Sequence, residues 1–143
     1  MTKMHEQMLV ELIHTSHLYE KVLASLFKEY DLTNPQYNIL RILKGVHPEY
    51  LHPGEIKNRM MFQKSDLTRL IDRLVGKGLV SRKICDSNRR MVDMKITENG
   101  IETLEAIYPK LSKITNNFYS DTFTEMEVTE ITNYLNKIKT VLS

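Results

Sequence analysis

Eleven lysines and arginines lie between positions 57 and 95: Lys57, Arg59, Lys64, Arg69, Arg73, Lys77, Arg82, Lys83, Arg89, Arg90 and Lys95. Only four acids stand among them, Asp66, Asp72, Asp86 and Asp93. The segment therefore carries seven net positive charges in a 143-residue chain whose formal net charge is +2, and the rest of the chain is mildly acidic. Cations concentrated in this way suit a polyanion, because neutralised phosphates supply most of the affinity for nucleic acid. Catalysis is poorly served. There is no glycine-rich phosphate loop, nucleophile elbow or metalloprotease signature, and one cysteine with five histidines offers no evident catalytic set. No enzyme activity is expected.

The remaining reactive side chains are few. Cys85 is the sole thiol, so no internal disulfide framework exists. Its neighbours Arg82, Lys83, Arg89 and Arg90 would favour the thiolate, which makes a redox-responsive role through Cys85 an alternative reading. An inert structural cysteine is the preferred one. His14 and His17 are three apart on a helical pattern, with Glu20 continuing the same face. A zinc ion would need further ligands, which only folding could bring from His47 or His52. Surface or packing histidines are the simpler reading, and no metal or cofactor is expected. Tyr19, Tyr37, His14 and Met60 are candidates for an aromatic ligand pocket, although such residues more often form plain core.

The elements that would position the basic residues follow from periodicity. From about Lys3 to Tyr30, Met8, Leu12, Tyr19, Leu23, Leu26 and Tyr30 recur at helical steps, and Leu9, Ile13 and Phe27 widen the stripe. A helix of that length spans roughly 40 Å, more than a small domain needs for itself, so a second chain is expected to cover part of it. Thr33 or Asn34 with Pro35 opens a second helix carrying Tyr37, Leu40, Ile42 and Leu43, closed by Gly45. After a loop over 47–53, Pro53 starts a helix carrying Ile56, Met60 and Met61, and Phe62-Gln63 makes a turn. Ser65 to Val75 is the next helix, with Leu67, Leu70, Ile71 and Leu74 inward and Lys77-Gly78 as its stop. The period then changes to that of two strands, 79–84 and 91–96, around the polar turn 85–90. Thr97 caps a helix bearing Ile101, Leu104, Ile107, Leu111, Ile114 and Phe118. Thr124 to Glu127 is a capping box opening a last helix with Val128, Ile131, Leu135, Ile138 and Leu142.

Two short helices followed by a hairpin make a winged helix-turn-helix, whose second helix enters the major groove while the hairpin tip reaches toward phosphates or the narrower groove. The expected contact residues are Lys64, Ser65, Asp66, Thr68, Arg69 and Arg73 on the helix, and Ser87, Asn88, Arg89 and Arg90 on the wing. The fold class is mainly α with a small β-hairpin wing (α+β). Residues 33–98 form the DNA-binding domain, and residues 1–32 with 99–143 form N- and C-terminal dimerisation helices. No apolar run approaches the roughly 20 residues of a membrane span, and the N-terminal segment lacks the features of a signal peptide, so a cytoplasmic protein is expected. A helical protein-interaction module is the other alternative, and it would leave the basic wing dispensable.

The strings LTRLIDRLVGKGLVSR, NRR and MKITENG, and the segment LTNPQYNILRIL, resemble the MarR family of bacterial transcription regulators. Asn88-Arg89-Arg90 stands where that family's wing motif reads Asp-x-Arg, and Ile96 to Gly100 where it reads Leu-Thr-x-x-Gly. The resemblance implies a homodimer on a pseudo-palindromic double-stranded operator. It also implies repression relieved by a small, often anionic or aromatic, ligand.

Overall fold

The computed structural model describes residues 2–61 and 66–143. Among these, six helices and one hairpin follow in order: α1 Lys3–Lys28, α2 Asn34–Gly45, α3 Pro53–Arg59, α4 Leu67–Gly76, β1 Val80–Ile84, β2 Val92–Ile96, α5 Glu98–Tyr119 and α6 Glu125–Leu142. They divide into two compact units, Met1–Ile107 and Tyr108–Ser143. No helix among the described residues is long and apolar enough to cross a membrane.

The first unit is built on α2. Its N-terminus is a complete capping box, in which Thr33 Oγ1 accepts from Gln36 N (3.3 Å) while Gln36 Oε1 accepts from Thr33 N (3.0 Å). Two of the orphan amide groups at that helix end are thereby satisfied. Ile39, Leu40 and Leu43 are fully buried, with Ile56 of α3, Ile71 and Leu74 of α4, Ile96 of β2 and Ile107 of α5. Phe27, in the last turn of α1, stacks on Tyr37 with ring centroids 4.0 Å apart. Burial of the Tyr37 phenol raises its pKa, with the charge of Arg41 opposing. The final turns of α1 thus belong to this core, while Met4, Met8, Val10 and Ile13 remain exposed.

Two helix ends terminate in the same way. After α4, Gly78 adopts φ +72°, its N–H bonds Val75 O (2.9 Å), and Leu79 N bonds Leu74 O (3.0 Å). This is a Schellman stop, and it aims the chain into β1. After α1, Asp31 takes the same role at φ 54°, with Asp31 N on Lys28 O (3.1 Å) and Leu32 N on Phe27 O (3.0 Å). Lys77 joins the two stops, since its ammonium lies 3.0 Å from Asp31 Oδ2 and also bonds the Asp31 carbonyl.

The α3 expectation needs correction. The helix ends at Arg59, Met60 is extended, and Met61 is 76% exposed, so neither residue extends the helix. The cause is Asn38, a buried amide on α2 whose Oδ1 accepts from Met61 N (2.8 Å). Satisfying that buried oxygen draws the chain out of the helix. The Phe62-Gln63 turn lies outside the described residues. In the second unit, α6 opens with the predicted capping box: Glu127 Oε2 accepts from Thr124 N (2.8 Å) and Oγ1 (2.9 Å), and Glu127 N donates to Thr124 Oγ1 (3.3 Å). No α6 residue is fully buried, and Ile131, Leu135 and Leu142 of its predicted stripe are exposed.

Candidate nucleic-acid interface

Helix α4 is strongly two-sided. Ile71 and Leu74 are buried and Leu67 and Leu70 half-buried, whereas Asp66, Thr68, Arg69, Asp72 and Arg73 are exposed. Asp66 is its N-cap, accepting from Arg69 N at 3.3 Å. The helix starts two residues later than the apolar pattern alone suggested, because an aspartate preceding Leu67 supplies the cap. Its carboxylate oxygen is therefore engaged by the backbone, which tempers its expected role at a base edge. Lys64 and Ser65 lie outside the described residues.

The wing is a five-residue antiparallel pair, Val80 opposite Ile96 and Ile84 opposite Val92. Its base is held on three sides. Leu51, in the loop before α3, exchanges backbone bonds with Met94 (2.9 and 2.8 Å), adding a one-residue third strand. Arg82 Nη1 lies 2.6 Å from Asp72 Oδ1, tying β1 to α4. Thr97 Oγ1 donates to Gly78 O (2.6 Å) and accepts from Gly100 N (3.1 Å), so one hydroxyl joins the α4 stop to the start of α5. Gly100 itself must be glycine, because a Cβ there would stand 2.4 Å from Leu79 O and 2.6 Å from Ile96 Cγ1.

At the tip, Asn88 Oδ1 accepts from Arg90 N (3.1 Å) and Asn88 O from Met91 N (2.9 Å). The amide oxygen closes this turn by a bond that a carboxylate could equally make, so the turn does not require the acid of the usual motif. Ser87, Asn88, Arg89 and Arg90 are all exposed.

Charge pairing sorts the cations. Arg82 is held by Asp72 and Lys77 by Asp31. Lys83 lies 3.7 Å from Asp86 and 4.2 Å from the centroid of the Tyr50 ring, over which Lys95 also sits at 5.4 Å. Among the described residues, the side chains of Arg69, Arg73, Arg89 and Arg90 make no ion pair. The fold thus leaves two arginines on the exposed face of α4 and two on the wing tip.

Residues 32–92 match the family model described as the MarR family. Over those residues the chain is similar to the MarR family. It is 28% identical over 137 residues to the HTH-type transcriptional regulator PecS of Dickeya dadantii, covering 94% of this chain and 82% of that one. It is also 28% identical to the HTH-type transcriptional repressor YetL of Bacillus subtilis, over 85% of this chain and 75% of the other. A mutant MarR from E. coli complexed with operator DNA superposes with a TM-score of 0.77 at 26% identity, covering 91% of this chain and 92% of that one. The organohalide-sensing regulator RdhR in its 2,4-dichlorophenol-bound form shares the fold, with a TM-score of 0.84 at 18% identity over 97% of this chain and 81% of that one. The curated relatives carry the names of transcription regulators.

Two features escaped the sequence reading. A cleft of about 350 Å³ lies between α3, α4 and the wing, lined by Pro53, Thr68, Ile71, Asp72, Arg82, Arg90 and Met94 among others. The pocket candidate Tyr37 instead stacks in the core. Cys85 is buried and sits with its Sγ 3.2 Å from Ser87 Oγ, beside His52 and Asp93.

Proposed function

We propose that this protein is a homodimeric cytoplasmic repressor of the MarR type that grips a pseudo-palindromic operator and leaves it when a small anionic or aromatic ligand binds. The observation that carries the DNA-binding geometry is the pair of unpaired arginines on α4 matched by a second pair on the wing tip. In this reading α4 lies in the major groove, with Thr68, Arg69 and Arg73, together with Lys64 and Ser65, directed at base edges and phosphates. Asp66 orients the helix start. Ser87, Asn88, Arg89 and Arg90 ride the adjacent backbone or narrow groove.

The exposed apolar residues of α1 and of α6 support a second copy as their cover, since apolar surface of that extent favours burial. A twofold dimer would set two α4 helices about one helical turn apart on DNA. The cleft beside α4 suits a small aromatic anion: most of its lining is apolar, and Arg82 and Arg90 are among the residues that line it. A ligand there would engage Arg90 and so compete with DNA. The operator complex of the E. coli relative, the repressor name of YetL and the chlorophenol bound to RdhR support the reading.

The test is a salt series of binding to the DNA upstream of the protein's own gene against an unrelated fragment, with sedimentation of the free protein alongside. A dimer that prefers the upstream DNA and loses affinity steeply with salt is expected. A monomer, or absence of binding to any duplex at low salt, would overturn the reading.

A further inference from the structure

His52, Cys85 and Asp93 are scattered in sequence, yet each brings a ligand atom to one point, all within 4.8 Å of one another. They come from three places around the wing base: the loop before α3, the residue after β1, and β2. Cys85 is 5% and Asp93 9% exposed. His52 Nδ1 and Asp93 Oδ1 face each other as an ion pair. They do so without hydrogen-bond geometry, and neither buried atom has a hydrogen-bond partner among the described residues. A buried carboxylate oxygen without such a partner is costly, and a cation is one way to meet that cost. The backbone around the cluster is already fixed. The Leu51–Met94 bonds flank His52 and Asp93, and Cys85 N donates to Met91 O at 2.9 Å.

We propose that His52, Cys85 and Asp93 form a site for one divalent transition-metal ion, Zn²⁺ by its chemistry, at the base of the wing. A thiolate, an imidazole and a carboxylate are all zinc ligands, and the two anions together balance its charge. The thiolate disfavours Mg²⁺ and Ca²⁺, which take oxygen ligands. Bond lengths of about 2.0–2.3 Å put the donors of a tetrahedral zinc about 3.3–3.6 Å apart, which small side-chain rotations reach from the present spacing. Three protein ligands leave the fourth position to water. The Ser87 hydroxyl, 3.2 Å from Cys85 Sγ, is placed to donate to the bound thiolate and orient it. The site joins loop and both wing strands with one ion, and it is independent of the operator-binding proposal.

The full-length protein, stripped with chelator, is titrated with Zn²⁺ against a colorimetric competitor, and separately with Co²⁺ while recording its absorption spectrum. One ion per chain is expected, with a near-ultraviolet thiolate-to-cobalt band. Cys85→Ser should abolish that band and weaken Zn²⁺ about tenfold or more, at least the loss seen when an outer partner of a metal ligand is removed. Asp93→Asn should weaken Zn²⁺ similarly. His14→Ala with His17→Ala should change neither stoichiometry nor spectrum. Far-ultraviolet circular dichroism checks each variant, and Cys85→Ala replaces Cys85→Ser if the latter unfolds. No stoichiometric binding at micromolar Zn²⁺, or binding indifferent to Cys85 and without a thiolate band, would overturn the proposal.

Discussion

Arg82 of the first wing strand lies 2.6 Å from Asp72 of α4, and both side chains are about half exposed. The wing and the helix that face the same surface are thus joined by a charge pair that also cancels one cation. An exposed pair of this kind is worth only about 0.2–1 kcal/mol, and a double-mutant cycle of Asp72→Asn and Arg82→Ala in urea unfolding should return a coupling in that range. Asp72→Asn alone should tighten binding to every duplex, because it removes a negative charge from the α4 face and frees Arg82. Weaker non-specific binding by that variant would contradict the pairing described.

Arg69 and Arg90 should fail differently when removed. If Arg69 reads a base, Arg69→Ala costs about 1–3 kcal/mol on the operator and relaxes preference at one position. Arg90→Ala should weaken all duplexes alike and reduce the slope of log K against log salt by about one per chain. Fluorescence anisotropy on operator and scrambled DNA at several salt concentrations separates the two patterns, and identical behaviour of both variants would refute the assignment.

Gly100→Ala should destabilise the first unit by about 1–3 kcal/mol, since its methyl group would press on the Leu79 carbonyl and Ile96. Leu74→Ala, at a fully buried position of α4, should cost about 2–5 kcal/mol. Denaturant unfolding monitored by circular dichroism reads both. A neutral Gly100→Ala would mean that α5 does not approach Leu79 and Ile96 as described.

The Glu127 carboxyl has a pKa held below the usual carboxylate range by the backbone N–H of Thr124 and then by its hydroxyl. A folded-state pKa that is depressed stabilises the folded form above the unfolded value, and that contribution is lost as pH falls through the folded one. The α6 cap should therefore be fully formed at neutral pH and weaken only on acidification through and below the ordinary glutamate range. Carboxyl carbon shifts of Glu127 followed against pH should show the depressed titration in the wild type and a partial upward shift in Thr124→Ala, which removes the hydroxyl but keeps the backbone N–H.

Local rules exposed much of this fold. The Thr33 and Thr124 caps, the Gly78 stop, both strands and the inward Ile71 and Leu74 follow from patterns a few residues long. What escaped was decided across the chain. Asn38 draws Met61 out of α3 from 23 positions away. Asp31 adopts a glycine-like conformation secured by Lys77, 46 positions on. The basic segment was evident as a charge count, but which of its cations stay unpaired depends on Asp72, Asp31 and Tyr50 meeting them in space. His52, Cys85 and Asp93 share no spacing that a motif could record.

The bridge between Leu51 and Met94 also divides the wing by timescale. Its amides sit in a bonded strip beside the buried Ile96 and should exchange with solvent deuterium only as slowly as the core opens. The tip is closed by the bonds of Asn88 to Arg90 and Met91, all at exposed positions, and should exchange far sooner. A tip that opens on its own can reshape itself along a backbone of uneven width while the strands behind it keep their register. Adaptation to different DNA sequences would then cost a local rearrangement and leave the domain folded.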